Sequence, residues 1–283
     1  MADSQNLVWG QAFSQNVMQL AQQKYSKLLP CVYQKPDVTG KVFFQDQIGQ
    51  WSMEAKGGRN VQTPNNDPNL GRRRGTMVDY HDNRMLDRGD ELRTISNPRS
   101  QYSIAAASAI GRKMDEIIIT AAINSADSGE TGSVSVTQGN IVLATAASMT
   151  LARIIAVKQA LDDQDVEEED RFFVVKPAVL DNLLNLTAAT SSDYTMIKSL
   201  IEGKITSWMG FQWIMSTRIA AVSSSTLLGV AFQRNGICAA QLQSPLVRTD
   251  ERADLSYSWQ LYYELNMGAV RLEESRVVVL NEG

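Results

Sequence analysis

The chain has a single histidine, His81, and it lies close in sequence to Asp79, Asp82 and Asp87. A histidine paired with a carboxylate can act as a general base. No serine or cysteine occurs in a recognisable nucleophile elbow, and the residues around His81 are typical of an exposed loop. We therefore predict no catalytic centre here and no enzyme activity.

Three other stretches could bind ions or phosphate. The carboxylates of residues 162–170 could bind a hard cation, but the run lacks the alternating ligands and the glycine of an EF-hand loop, so a solvated helix end is favoured. Arg72–Arg74 could contact phosphate, yet three charges are a small basic patch, and salt bridges to an acidic neighbour are favoured. The glycines at 57, 58, 71 and 75 are not followed by the Gly-Lys-Ser/Thr of a phosphate loop. We predict no cofactor and no metal.

The composition narrows the class of protein. The chain has 283 residues, of which 43% are hydrophobic and 20% charged, which is ordinary for a globular protein with a sizeable core. Its formal net charge of −4 does not favour a nucleic-acid binder that works through bulk positive charge. No apolar run approaches the roughly 18 residues that span a bilayer, so we expect no membrane contact. Cys31 and Cys238 are predicted to be buried thiols.

One long helix is predicted over residues 97–125, and the other elements are arranged before and after it. Asn97 can cap its start, and Pro98 suits the first helical position. The residues of its predicted buried face recur at three- and four-residue steps: Ser103, Ala107, Ile110, Met114, Ile117 and Ala121. Charged residues at 112, 113, 115 and 116 fall largely off this face.

Two segments before the helix have little with which to form a core. Residues 2–29 are polar with an uneven apolar stripe, which indicates an arm that lies on another surface. Residues 54–97 are rich in charge and glycine, and they predict a two-stranded excursion whose outer end lies around Gly71–Gly75. A hairpin of this kind is marginal alone. Both segments are therefore expected to need a neighbouring surface.

The residues after the helix predict an α+β region. A second helix is predicted near 151–161, a buried strand at Arg171–Val175, a helix opening at Pro177, a third helical segment at 190–207 and strands around a turn at Gly210. Arg234–Gly236 is predicted to be a hairpin turn, since Asn-Gly favours one. The chain ends in two predicted strands, Leu255–Leu265 and Val270–Leu280, with a bend at Gly268.

This order of parts resembles the major capsid proteins of tailed bacteriophages, which have the Hong Kong 97-type shell fold. The segments that carry the likeness are SIAAASAIGRKMDEIIITAAI, RFFVVKPAVLDNLL, IEGKITSWMGFQWIMSTRI and YYELNMGAVRLEESRVVVLNEG, in which Gly-Ala-Val-Arg is taken as the turn before the last strand. The resemblance implies an N-terminal arm at 1–44 and an extended E-loop hairpin at 45–96. It also implies a peripheral domain with the spine helix at 97–146 and 250–269, and an axial domain at 147–249 and 270–283.

The resemblance further implies a function. Copies of the chain would form pentamers and hexamers of an icosahedral head shell around packaged double-stranded DNA, bound without sequence specificity, in a virion assembled in the host cytoplasm. Expected partners are a separate scaffolding protein, a portal and a decoration or cement protein. Because Lys56 is the only lysine of the excursion and no partner asparagine is evident, covalent crosslinking is not carried over. Contacts between subunits are expected at Trp9, Phe13, Arg59, Arg72, Arg73, Arg74, Arg84, Asp87 and Arg88.

Three alternatives remain open from the sequence. An encapsulin-like bacterial compartment shares the fold, and a cargo peptide docked inside would distinguish it from a virus. A soluble α/β enzyme would use the His81 region or the carboxylates of 162–170. A single-stranded nucleic-acid binder would use Arg72–Arg74 and the tryptophans, and its binding would weaken steeply with salt.

Overall fold

The computed structural model describes residues 22–63, 65–87, 98–144, 149–180, 207–219 and 227–282. The chain divides into two compact units. One contains Asp79–Met114 and Gln243–Asn266 with the arm up to Ser26, and the other contains the rest. The helices are α1 (Pro98–Ile123) and α2 (Leu151–Asp162). The strands are β1 (Tyr33–Lys35), β2 (Val42–Ile48), β3 (Leu70–Thr76), β4 (Val78–Leu86), β5 (Ala126–Ser128), β6 (Val134–Val136), β7 (Ile141–Ala144), β8 (Arg171–Val175), β9 (Ser207–Trp208), β10 (Phe211–Met215), β11 (Leu227–Gln233), β12 (Ile237–Gln241), β13 (Leu246–Arg252), β14 (Ser258–Arg271) and β15 (Val277–Glu282).

The first unit combines the N-terminal part of α1 with a small sheet. β14 is paired with β13 on one side and also with β4. The β13–β14 register is unbroken from Leu246↔Glu264 to Arg252↔Ser258. The long helix is confirmed, but its buried face is rotated from the predicted one: Ala107 is exposed, whereas Ala106, Ser108, Ile110, Gly111 and Met114 are buried.

A six-stranded mixed sheet forms the larger core of the second unit, in the order β7-β15-β11-β8-β10-β9. The run Arg171–Val175 is buried at every position, as its apolar, branched and aromatic residues predict. α2 presents its helical stripe to this sheet, and the joint core includes Ile154, Val157, Leu161, Phe173, Phe211, Trp213, Leu228 and Leu280. The aromatic rings interlock, with the Phe173 and Trp213 ring centres 4.7 Å apart.

The second unit also holds the base of the excursion. β2 and β3 pair antiparallel from Val42↔Thr76 to Ile48↔Leu70, and β3 continues the sheet to β5 and β6. A smaller core of Phe43, Met77, Ala126, Cys238, Ala240 and Val270 lies beneath them. β12 is held between β1 and the end of β14. The excursion therefore has an anchored base, which is part of the body of this unit.

Three of the turns predicted from the sequence are wrong. Gly71–Gly75 lies inside β3, and the outer end of the excursion is residues 49–69. Arg234–Gly236 is a 3-10 turn that carries the chain from β11 to β12 in a different sheet, so it closes no hairpin. Gly268 is within continuous β14, and Gly-Ala-Val-Arg is strand; the turn before β15 is residues 272–276.

The glycines in these strands have packing reasons. A Cβ at Gly75 would collide with the ring of Phe43 opposite it in β2, and a Cβ at Gly268 would collide with the carbonyl oxygen of Thr76. Close approach, not a turn, therefore explains them. The predicted helix at 190–207 lies almost wholly outside the described residues, and its last residue, Ser207, begins β9.

Candidate functional site

In the first unit, two carboxylates near His81 on β4 accept hydrogen bonds from side chains of β14. Asp82 accepts a hydrogen bond from Tyr263 Oη at 2.7 Å, and Asp79 accepts one from Asn266 Nδ2 at 2.9 Å. These bonds join β4 to β14. The Tyr263 hydroxyl lowers the pKa of the Asp82 carboxyl. Burial, and then the hydrogen bond to Asp82, raise the pKa of Tyr263 to about 12. The two carboxylates thus serve sheet pairing, and no nucleophile is bound to His81 among the described residues.

Carboxylates of the acidic run at 162–170 form ion pairs with arginine side chains of the same chain. Asp162 pairs with the buried Arg171 at 2.6 Å, and Asp170 pairs with Arg234 at 2.9 Å. Glu167 pairs with Arg276, whose guanidinium lowers the pKa of that carboxyl. In the part of the chain that the structure describes, no group of three or more His, Cys, Asp or Glu side chains could hold a metal ion.

A cluster of charged residues fixes the base of the excursion in the second unit. Arg271 has no exposed surface, and its Nη1 donates to the carbonyl oxygens of Ala122 and Asn124 at 3.0 and 2.7 Å. Its Nη2 donates to Val136 O at 3.0 Å, and its Nε lies 3.5 Å from Glu274. Burial lowers the pKa of Arg271, and Glu274 opposes that shift. One side chain thus holds the carboxyl end of α1 and the β6 segment together.

Arg73 joins the excursion to the same place. Its Nη2 forms an ion pair with Glu274 at 2.6 Å, and its Nε donates to Leu272 O at 2.8 Å. Gln47, on the neighbouring strand β2, donates to the same carbonyl oxygen. We call Arg73, Arg271 and Glu274 the arginine cluster. The sequence does not predict this role, because a single arginine in the apolar run MGAVRL does not indicate what its guanidinium will bind.

The arm is also bound through its main chain. In the first unit Gly111 makes room for it, since a Cβ there would lie 2.8 Å from Ser26 N. In the second unit the buried Asp115 accepts hydrogen bonds from the backbone N–H groups of Lys27 and Leu28, at 3.1 Å each. Asp115 was predicted to be off the buried face, and the arm explains why this carboxylate is inside.

The outer end of the excursion carries a set of exposed apolar side chains. Trp51 is 71% exposed and Met53 is 98% exposed, and Ile48, Val61 and Leu70 are also exposed. We call these five residues the excursion patch. Ile48 and Leu70 are opposite each other in β2 and β3, and grouped exposed apolar side chains mark contact sites. The geometry therefore indicates a segment that needs a second molecule.

The family comparison decides what kind of protein this is. A family model described as phage capsid protein matches residues 6–282. The chain belongs to the phage capsid protein family. It is a structural subunit of a virion shell and not an enzyme, and the family favours the phage over the bacterial compartment. A search of curated proteins finds no match to the chain.

Solved capsids share the fold of this capsid protein. The cyanophage P-SCSP1u capsid aligns with a TM-score of 0.77 at 15% identity, over 98% of this chain and 94% of that chain. The Mycobacterium phage Che8 structure aligns with a TM-score of 0.72 at 15% identity, over 95% and 96%. The capsid of a native GTA particle aligns with a TM-score of 0.74 at 11% identity, over 100% and 98%. The predicted α+β Hong Kong 97-type fold is confirmed.

The predicted contact residues occupy different environments. Arg59, Arg84 and Asp87 are exposed. Arg72 is 46% exposed and pairs with Asp46 across the excursion, and Arg74 donates to Thr131 O at 2.8 Å. Arg73 is buried in the arginine cluster. Trp9, Phe13 and Arg88 lie outside the described residues. In the described part of the chain, no helix is long and apolar enough to cross a membrane.

Proposed function

We propose that copies of this capsid protein assemble into pentamers and hexamers, which close into an icosahedral head shell around packaged double-stranded DNA. Residues 1–44 act as the arm, and residues 45–96 act as an E-loop that lies over a neighbouring subunit. Residues 97–146 with 250–269 form the peripheral domain, and residues 147–249 with 270–283 form the axial domain.

The excursion patch is the observation that carries this proposal. The base of the excursion is bound to the second unit by the arginine cluster, whereas its outer end exposes large apolar side chains to solvent. Burial of apolar surface on a neighbour supplies the free energy of association, at about 25 cal/mol per Å². Repetition of the same contact by symmetry then holds each copy on several sides.

Charged residues set the register of these contacts. Arg59 and Arg84 are exposed, and exposed arginines steer and orient a partner more than they add affinity. The proposed contact set also keeps Arg72, Arg74 and Asp87, with Trp9, Phe13 and Arg88 from the arm and the segment after β4. Arg73 is bound within its own chain, so its contribution is to position the excursion.

Further partners follow from the same proposal. Assembly takes place in the host cytoplasm with a separate scaffolding protein, a portal occupies one vertex, and a decoration or cement protein adds strength where no covalent crosslink exists. The DNA is enclosed without sequence-specific binding, consistent with a chain whose net charge is −4.

The test is assembly of the purified chain, alone and with its neighbouring genes, followed by sedimentation and electron microscopy. The wild type is expected to form closed particles or rings of five and six. The double variant Trp51→Ala/Met53→Ala removes two side chains that would each contribute about 1.5–3 kcal/mol on burial. It should raise the assembly concentration at least about a hundredfold, because the two losses sum to about 3 kcal/mol or more and 1.4 kcal/mol is a factor of ten.

A matched control removes an exposed apolar side chain elsewhere. Ile155 is 48% exposed on α2, far in sequence from the excursion, and Ile155→Ala should leave the assembly concentration near that of the wild type. A wild type that stays monomeric under both conditions would refute the shell. Equal effects of the two variants would remove the excursion from the contact.

A further inference from the structure

Strand β13 has an unoccupied edge in the described part of the chain. It pairs with β14 on one side, from Leu246↔Glu264 to Arg252↔Ser258, and no described strand pairs with its other side. All five residues from Val247 to Glu251 are exposed, so both faces of the strand lack a cover of their own. Because the register has no shift over these seven residues, every second residue turns its backbone N–H and C=O towards the edge away from β14.

Edges of this kind are normally blocked. Proteins protect them with proline, with a bulge, with inward-pointing charges or with a very short strand. β13 contains no proline and no bulge, and its charged residues are of both signs, positive at Arg248 and Arg252 and negative at Asp250 and Glu251. No described side chain forms an ion pair with Arg248 or Asp250. The edge is therefore suited to receive another strand.

We propose that this edge pairs antiparallel with β13 of a second copy, across a two-fold axis at Thr249. The inference rests on the proposed function, since it names one of the contacts between shell copies. A two-fold axis perpendicular to the sheet places residue i of one strand opposite residue 498 − i of the other. Thr249 is then opposite Thr249 of the second copy, and Arg248 is opposite Asp250 of the second copy, twice by symmetry.

The charge sequence selects this register. Centring the axis on Arg248 or Asp250 would place identical charges directly opposite each other, and centring it on Glu251 would do the same for two glutamates. A centre at Val247 gives no pair of opposite charges. Only the centre at Thr249 gives two favourable pairs and no unfavourable one. Opposite charges on facing positions stabilise a sheet, and like charges destabilise it.

A cysteine at the proposed axis tests the pairing in assembled particles. Opposite residues of antiparallel strands have Cα atoms about 4.5–5.5 Å apart, which a disulfide can bridge. Thr249→Cys should therefore form a dimer of the 31.3 kDa chain on a non-reducing gel after mild oxidation. The wild type supplies the background, because its own two cysteines are buried.

Glu251→Cys is the matched control. It is equally exposed on the same face of the same strand, but the two copies of residue 251 would be offset by four residues, about 13 Å along the strands. It should form no dimer. Intact particles in which Thr249→Cys stays monomeric would overturn the pairing while leaving the shell in place, and they would assign the edge to another segment. Equal dimerisation of both variants would also overturn it.

Charge reversal gives a second test that does not depend on a new thiol. Arg248→Asp and Asp250→Arg each convert two attractive pairs into two repulsive ones, and each should raise the assembly concentration about tenfold. The double variant exchanges the charges and should return the assembly concentration to that of the wild type. A double variant as impaired as the single ones would refute the register. Failure of the wild type to assemble would instead refute the proposed function.

Discussion

Replacement of Arg271 by methionine is expected to destabilise the second unit strongly. Methionine has a similar length and fills much of the space, so the loss is one of hydrogen bonds and charge. Three carbonyl oxygens, those of Ala122, Asn124 and Val136, lose their donor. Because they belong to the backbone, no second substitution can remove them, and the bond to the buried Ala122 is lost in a place that water does not reach.

The magnitude follows from these contacts. Hydrogen bonds to a charged group contribute roughly 1.5–3 kcal/mol each, although such contributions are not additive within one cluster. Breaking a buried ionic arrangement by removing one partner costs about 3–5 kcal/mol. We expect the free energy of unfolding to fall by about 3–5 kcal/mol, out of a total of about 5–15 kcal/mol for a typical domain.

The assay is urea unfolding of unassembled protein, at a protein concentration kept below that at which shells form. Arg252→Met is the control, because Arg252 pairs with Asp254 on the surface. It should change the urea midpoint much less than Arg271→Met does. Hydrogen exchange should show early opening of residues 126–136 in Arg271→Met. A variant whose unfolding free energy stays within about 1 kcal/mol of the wild type would contradict the assigned role of the arginine cluster.

Four further outcomes are expected. Gly75→Ala should lower the free energy of unfolding by about 1–3 kcal/mol in urea, because the new methyl group overlaps the Phe43 ring; an unchanged midpoint would contradict that packing. The thiols of Cys31 and Cys238, whose pKa burial raises from 9.0 to about 11, should react with a disulfide reagent at pH 8 only after unfolding. Since the folded state retains these protons, stability should fall as the pH rises from 9.0 towards 11; a rise there would contradict it. Asp115→Asn should expose the arm to limited proteolysis, whereas Glu116→Gln should not.

The sequence predicted those elements whose local composition and periodicity are enough to indicate their structure and burial. The run RFFVV is apolar after its first residue and forms a strand buried on both faces. The alanine-rich segment that opens with Pro98 forms the long helix. Both depend on local preference and on periodicity, which are properties of short stretches of chain. The excursion was also predicted, from a composition that cannot bury itself.

Glycines and buried charges were the main source of error. A glycine in a sequence can mark a turn or a close approach, and only the partner distinguishes them: for Gly75 the partner is the ring of Phe43, 32 residues away in sequence. Asp115 was predicted to lie largely off the buried face because its position falls outside the three- and four-residue spacing of the apolar residues. Its partners are backbone N–H groups of the arm, 87 and 88 residues away, and no local pattern reports such a pair.

The contacts that hold the arm and the excursion have a consequence for evolution. Arg271, Arg73 and Asp115 each bind main-chain atoms, so the residues at the other end of these bonds, such as those at 124, 136 and 272, can change without loss of the bond. One side chain is constrained while several positions are released from constraint. A shell built in this way can change far in sequence while its architecture persists, in keeping with the 15% and 11% identity of this chain to capsids of the same fold.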